Sequence, residues 1–212
     1  VGKAISELVE EKKISREQIF VSSKNGYVTN DADIKEDFMQ YVMRELGKPG
    51  IVKEGDITSG YHCMTTSYLS DQLDKSLKNL NLECLDLMYL HNGIEGQIKD
   101  ISKEQFLENL KSVFELYEQK RDEGKIKFYG MATWECFRVM KNNPQYLLLE
   151  DIVEMAKNIG GIDHGFKFIQ LPYNMNYDQA LLGKNQIIQN KPVSILESAV
   201  TLGIGVFTSV PF

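Results

Sequence analysis

Apolar residues gather along this chain in five short runs: Ile19 to Ser22, Leu85 to Leu90, Lys127 to Met131, Phe166 to Leu171 and Ile204 to Thr208. Runs that are apolar at nearly every position, rather than at alternate ones, suit strands covered on both faces, as in a parallel sheet. Between them the apolar positions recur at helical spacing. Ala4, Ile5, Leu8 and Val9 share one face, as do Leu69, Leu73, Leu77 and Leu80, and then Phe106, Leu110, Val113, Phe114 and Tyr117. The third of these is opened by Ser102 with Gln105 three residues on, the pattern of a capping box, and closed by Gly124. Two more helices are predicted, from Pro144 to Ile159 ahead of Gly160-Gly161, and from Pro192 to Gly203.

Helix and strand therefore alternate through the chain, which predicts an α/β fold with a parallel sheet. The last three strand-to-strand steps are nearly equal, at roughly 40 residues, as expected of one repeated unit. The first step is longer by an insert, Asn25 to Met64. It carries a polar turn at Thr29-Asn30-Asp31, an amphipathic stretch from Ile34 to Leu46, and Gly47-Lys48-Pro49-Gly50. A connection that long inside a compact domain is commonly a functional lid, although a surface decoration fits the sequence nearly as well. A doubly wound nucleotide fold would carry G-x-G-x-x-G or a P-loop after its first strand, and neither occurs; Gly203-Ile204-Gly205 leads into a strand instead. The alternative is a (β/α)8 TIM barrel of which this chain supplies about five of eight strands, read as a single incomplete domain over residues 1–212.

Composition narrows the function classes. Of the 212 residues 42% are hydrophobic and 25% charged, and the net charge is −6. That balance is globular and mildly acidic, which argues against a nucleic-acid binder. No apolar run is long enough for a membrane span. Cys63, Cys84 and Cys136 are widely separated and read as reduced thiols, as in the cytoplasm. Tyr61-His62-Cys63 lacks a second pair of metal ligands at suitable spacing, so no metal is expected. Oligomeric state is left open.

In a barrel of this type chemistry gathers at the C-terminal ends of the strands. Those positions hold Lys24, His91, Ala132-Thr133-Trp134, Gln170 and Thr208-Ser209. Each alone has a bland reading: a solvated loop lysine, a capping histidine, a glutamine satisfying backbone, a tryptophan packing a strand end. Their recurrence on one rim is what singles them out.

These residues also carry a resemblance to the aldo-keto reductase family. Ile19-Phe20-Val21-Ser22-Ser23-Lys24 resembles its third-strand motif. Ser76-Leu77-Lys78-Asn79-Leu80 followed by Leu85 to His91 resembles the unit ending in its active-site histidine. Gly124 to Gly130, Phe168 to Asn174 and Gly203 to Pro211 are similar to the segments around its fifth, sixth and seventh strands. Tyr129 to Trp134, Tyr89 to Asn92 and Gly60 to Met64 look like a bacterial-type branch.

The resemblance implies NADPH-dependent reduction of an aldehyde or ketone, a small-molecule carbonyl substrate. It makes Lys24 and His91 catalytic: the lysine ammonium favours ionisation of a tyrosine acid, and the imidazole donates to the carbonyl oxygen. It makes Gln170, Thr133 and Ser209 cofactor-binding, with Ser209 standing where many members carry a stacking tyrosine. The family's aspartate and tyrosine are expected just upstream of Val1, and its 2′-phosphate ligands beyond Phe212. Tyr27 and Tyr61 do not stand in the family motif. Two other readings remain: a non-catalytic barrel that binds the cofactor as a sensor or subunit, and a lyase using Lys24 as a Schiff-base nucleophile.

Overall fold

A computed structural model describes residues 1–30 and 35–211. The predicted polar turn at Asp31 and the start of the amphipathic stretch at Ile34 lie outside the described residues. In chain order the elements are α1 (Gly2–Glu10), β1 (Ser22–Asn25), α2 (Phe38–Val42), α3 (Thr66–Leu80), β2 (Leu85–His91), α4 (Lys103–Asp122) and β3 (Ile126–Ala132). They continue with α5 (Leu149–Gly160), β4 (Phe166–Pro172), α6 (Gln179–Leu182), β5 (Gln186–Ile188), β6 (Lys191–Val193), α7 (Ile195–Leu202) and β7 (Gly205–Ser209). Five strands form one parallel sheet in the order β1-β2-β3-β4-β7. The main core lies between this sheet and α3, α4, α5 and α7, where Leu69, Leu73, Phe106, Leu110, Phe114, Ile152 and Ala199 are fully or almost fully buried against Met88, Leu90, Met131 and Ile169.

The other face of the sheet is the inside of a barrel wall. Leu87, Tyr89 and Ala132 pack there with Phe128 and Phe168. The sheet curls enough for its two outer strands to meet through side chains. Phe20, just ahead of β1, stacks on Phe207 of β7 at 6.0 Å, and both rings touch Phe168. A bulge in β4 between Phe166 and Phe168 allows this. It sends Phe166 outward against Phe114 and Tyr129, and Phe168 inward. Small residues make room for that ring: a Cβ on Gly130 would lie 2.1 Å from the Phe168 carbonyl oxygen, and one on Gly205 would lie 2.7 Å from the Phe168 ring.

Three boundaries differ from the sequence reading. The first strand is Ser22–Asn25, three residues later than the apolar run. Its helix-facing side chains are bonded instead of greasy: Ser23 Oγ lies 3.0 Å from Ser76 Oγ, and Asn25 donates to the Leu69 carbonyl while accepting from the Tyr117 hydroxyl. α5 begins at Leu149, not Pro144, because Leu147 N–H donates to the Cys136 carbonyl and Leu149 N–H to Gln186 Oε1, holding the segment extended. The stretch from Pro192 belongs first to a β5–β6 hairpin, turned by Gln189 and Asn190 with φ of 50° and 62°. α7 then opens at Ser194, whose capping box with Glu197 is complete. At α4 only half the predicted box forms: Ser102 Oγ accepts from Gln105 N–H, while the Gln105 amide turns to Asn109.

Candidate active site

Parallel register decides which rim residues meet. Lys24 pairs with Tyr89, and His91 follows two positions along β2, so both side chains leave the same inner face of adjacent strands. His91 pairs with Ala132, Ala132 with Gln170, and Gln170 with Phe207, which sets His91 and Gln170 in one row with a methyl group between them. Ser209 lies two pairs higher, opposite Pro172.

The electrostatics agree with that proximity. Lys24 is exposed to the barrel lumen, yet the surrounding wall takes enough water from its ammonium to lower its pKa below the ordinary lysine value. His91 is half-buried, and its pKa is also lowered, first by burial and then by the Lys24 charge; Glu95 acts in the opposite sense. The imidazole is therefore neutral at pH 7 and still carries one N–H to donate.

The Gln170 Oε1 atom is buried with no hydrogen-bond partner, as are the Tyr89 hydroxyl and one oxygen each of Asn92 and Glu95. A carboxamide oxygen left orphaned on the inner rim is a fitting acceptor for the amide of a nicotinamide ring. Thr133 also has a structural role on the rim. It is 5% exposed, its hydroxyl donates to Glu95 Oε1 and accepts from Cys136 N–H, and its own N–H donates to the Gln170 carbonyl. These bonds hold the turn after β3 and leave one lone pair of the Thr133 hydroxyl without a protein partner.

Glu95 carried no signal in the sequence. It lies on the loop after β2, and its Oε1 also accepts from the backbone N–H groups of Trp134, Glu135 and Cys136. The carboxylate thus ties the β2 loop to the β3 loop across 38 residues. Trp134 is 40% exposed beside the mouth, edge-on to Tyr177 at 5.8 Å, and Arg138 lies over the other ring at 5.2 Å.

In the sequence His62 stands between Tyr61 and Cys63 with no assigned role. The structure makes it a wedge. Its ring is fully buried where a Cβ on Gly26 or Gly96 would come within 2.5 Å of it. Nε2–H donates to the His91 carbonyl at 2.8 Å, and Nδ1 accepts from Gln97 at 3.0 Å. Burial lowers its pKa to about 4. His62 thereby pins the far end of the insert to the end of β2. Val28 N–H donating to the Tyr61 carbonyl and Cys63 N–H donating to the Gly26 carbonyl secure the same junction.

A curled parallel sheet with helices outside, and a lysine, a histidine and an orphaned glutamine on the inner C-terminal rim, define the β/α-barrel class with a polar site at the strand ends. The family model described as aldo/keto reductase family matches residues 1–207, and the chain belongs to that family. Solved structures with the same fold include an aldo-keto reductase of Bacillus halodurans in its holo form, at 16% identity and TM-score 0.51. That match covers 98% of this chain and 46% of the other. Another is an aldo-keto reductase of the silkworm Bombyx mori, at 16% identity and TM-score 0.52, covering 100% of this chain and 45% of the other. The chain spans less than half the length of these structures. A search of curated proteins finds no match. No helix among the described residues is long and apolar enough to cross a membrane.

Proposed function

We propose that this chain supplies the carbonyl-orienting part of an NADPH-dependent carbonyl reductase acting on an aldehyde or ketone. The observation that carries the reading is the convergence of Lys24 and His91 on one inner face, with the unpartnered oxygen of Gln170 in the same row. When bound, the nicotinamide cofactor supplies the hydride, and this is chemistry of the cofactor itself. Gln170 would hold its carboxamide, with Ser209 alongside on β7. The choice of NADP(H) over NAD(H) is carried over from the family.

Neutral His91 donates an N–H to the carbonyl oxygen and polarises it. Lys24, two positions back on the neighbouring strand, places a positive charge beside the oxygen as negative charge develops there. The same charge favours the ionised form of a nearby tyrosine, the proton donor that the family motif locates outside this sequence. The insert between Asn25 and Met64, fastened by His62 at the rim, is the proposed lid.

In the complete protein, Lys24→Met is expected to lower kcat/KM for carbonyl reduction about a hundredfold or more. Unchanged turnover would reject the assignment. The lowered pKa of Lys24 also suits a Schiff-base nucleophile. Borohydride treatment with a carbonyl substrate separates the two: label on Lys24 favours the lyase, none removes it.

A further inference from the structure

Two side chains that the family pattern leaves without a role stand against His91. The Tyr27 ring sits edge-on between the rings of His62 and His91, 5.1 Å from each. Its backbone is fixed independently, by a bridge to His62 and by the Tyr68 hydroxyl donating to its carbonyl at 2.7 Å. Asn92 follows His91 directly and is 8% exposed. Its φ of 46° turns the chain out of β2, and its Nδ2 donates to the Tyr27 hydroxyl at 3.2 Å.

That bond leaves capacity on both partners. A phenol oxygen that accepts still has its own proton to give, and Asn92 Oδ1 is buried without a partner. Rotating the amide by half a turn exchanges the roles and keeps the balance: Tyr27 then donates and can still accept, while the NH2 group lacks an acceptor. Either way the pair retains one donor and one acceptor beside the imidazole.

We propose that Tyr27 and Asn92 form a specificity pair that reads the atom next to the reacting carbonyl and selects carbonyls bearing a hydroxyl on the neighbouring carbon. The proposal rests on the reading of His91 as the group that meets the carbonyl oxygen. A hydroxyl both donates and accepts, and so satisfies the pair; a plain alkyl group leaves both members unmatched in a dry setting.

The test compares 2-hydroxypropanal with propanal, which differ by one hydroxyl, in the complete protein. The wild type is expected to favour the hydroxylated aldehyde in kcat/KM. Tyr27→Phe, which keeps the edge-on ring, is expected to cut that preference about tenfold. Asn92→Gly keeps a residue that tolerates the left-handed backbone and is expected to do the same. Melting curves confirm that both variants fold. A ratio unmoved in both variants, or rates that fall together for the two aldehydes, would overturn the proposal. If the wild type reduces neither aldehyde, the proposed function fails, and calorimetric titration of the two aldehydes judges the pair alone. A hydroxyl preference that Tyr27→Phe removes supports it, and equal binding overturns it.

Discussion

His62 shows how far a single side chain can depart from its appearance in the sequence. Beside Tyr61 and Cys63 it looked like an isolated ligand; in the structure both ring nitrogens are satisfied by protein groups. Its pKa of about 4 has a consequence for stability. An unfolded histidine takes up a proton near pH 6.5, whereas the folded one resists until about pH 4, so the unfolded state binds more protons between those values. The contribution of His62 is therefore complete above pH 6.5 and lost as pH falls towards 4, amounting to roughly 3 kcal/mol. His91, lowered in the same direction, adds to the effect. Urea denaturation at stepped pH should show stability falling through this window, with a shallower fall in His62→Gln. An identical slope in the variant would place the titration elsewhere. Lys24 and His91 were legible as candidates because they interrupt apolar runs at strand ends. Glu95 and Asn92 were not, because their partners are far away in the chain.

At the scale of elements, apolar periodicity located the sheet's later strands and the main helices, since each is covered by side chains from its own run. It failed for β1, where Ser22-Ser23-Lys24-Asn25 has no strand propensity and is held by the ladder to β2 and by hydrogen bonds to α3 and α4. It failed again at β5 and β6, whose turn residues Gln189-Asn190 lack the usual glycine. Gly130 tests the packing between strands. Its φ is ordinary, but a methyl group there would overlap the Phe168 carbonyl oxygen. Gly130→Ala is expected to destabilise the complete protein by about 3 kcal/mol or more, read from the urea midpoint. A loss within about 0.5 kcal/mol would show that β3 and β4 can part at that point without cost.

Over the whole molecule the inner face is covered at its centre, where Leu87, Tyr89 and Ala132 are buried, and open towards its outer strands. Phe20 and Phe207 remain 51% and 42% exposed, and among the described residues no strand pairs with the outer edges of β1 and β7. Unpaired edges beside an apolar face invite association. Residues 1–212 expressed alone should therefore self-associate, which light scattering after size exclusion would detect as species heavier than 24.2 kDa. A stable monomer at micromolar concentration would mean that the curl through Phe20, Phe168 and Phe207 is closure enough.

What the sequence determined by itself was the alternation of covered strands and one-sided helices, because burial leaves its mark on each residue's own polarity. It also marked the strand ends that hold polar groups, since a lysine, histidine or glutamine at the end of an apolar run stands out locally. Tertiary structure decided register, and with it that Lys24, His91 and Gln170 share one face while Thr133 bonds to Glu95. It decided too that Tyr27 and Asn92 stand beside the imidazole. Such pairings depend on the distance between segments in space, which the local pattern of a chain does not record.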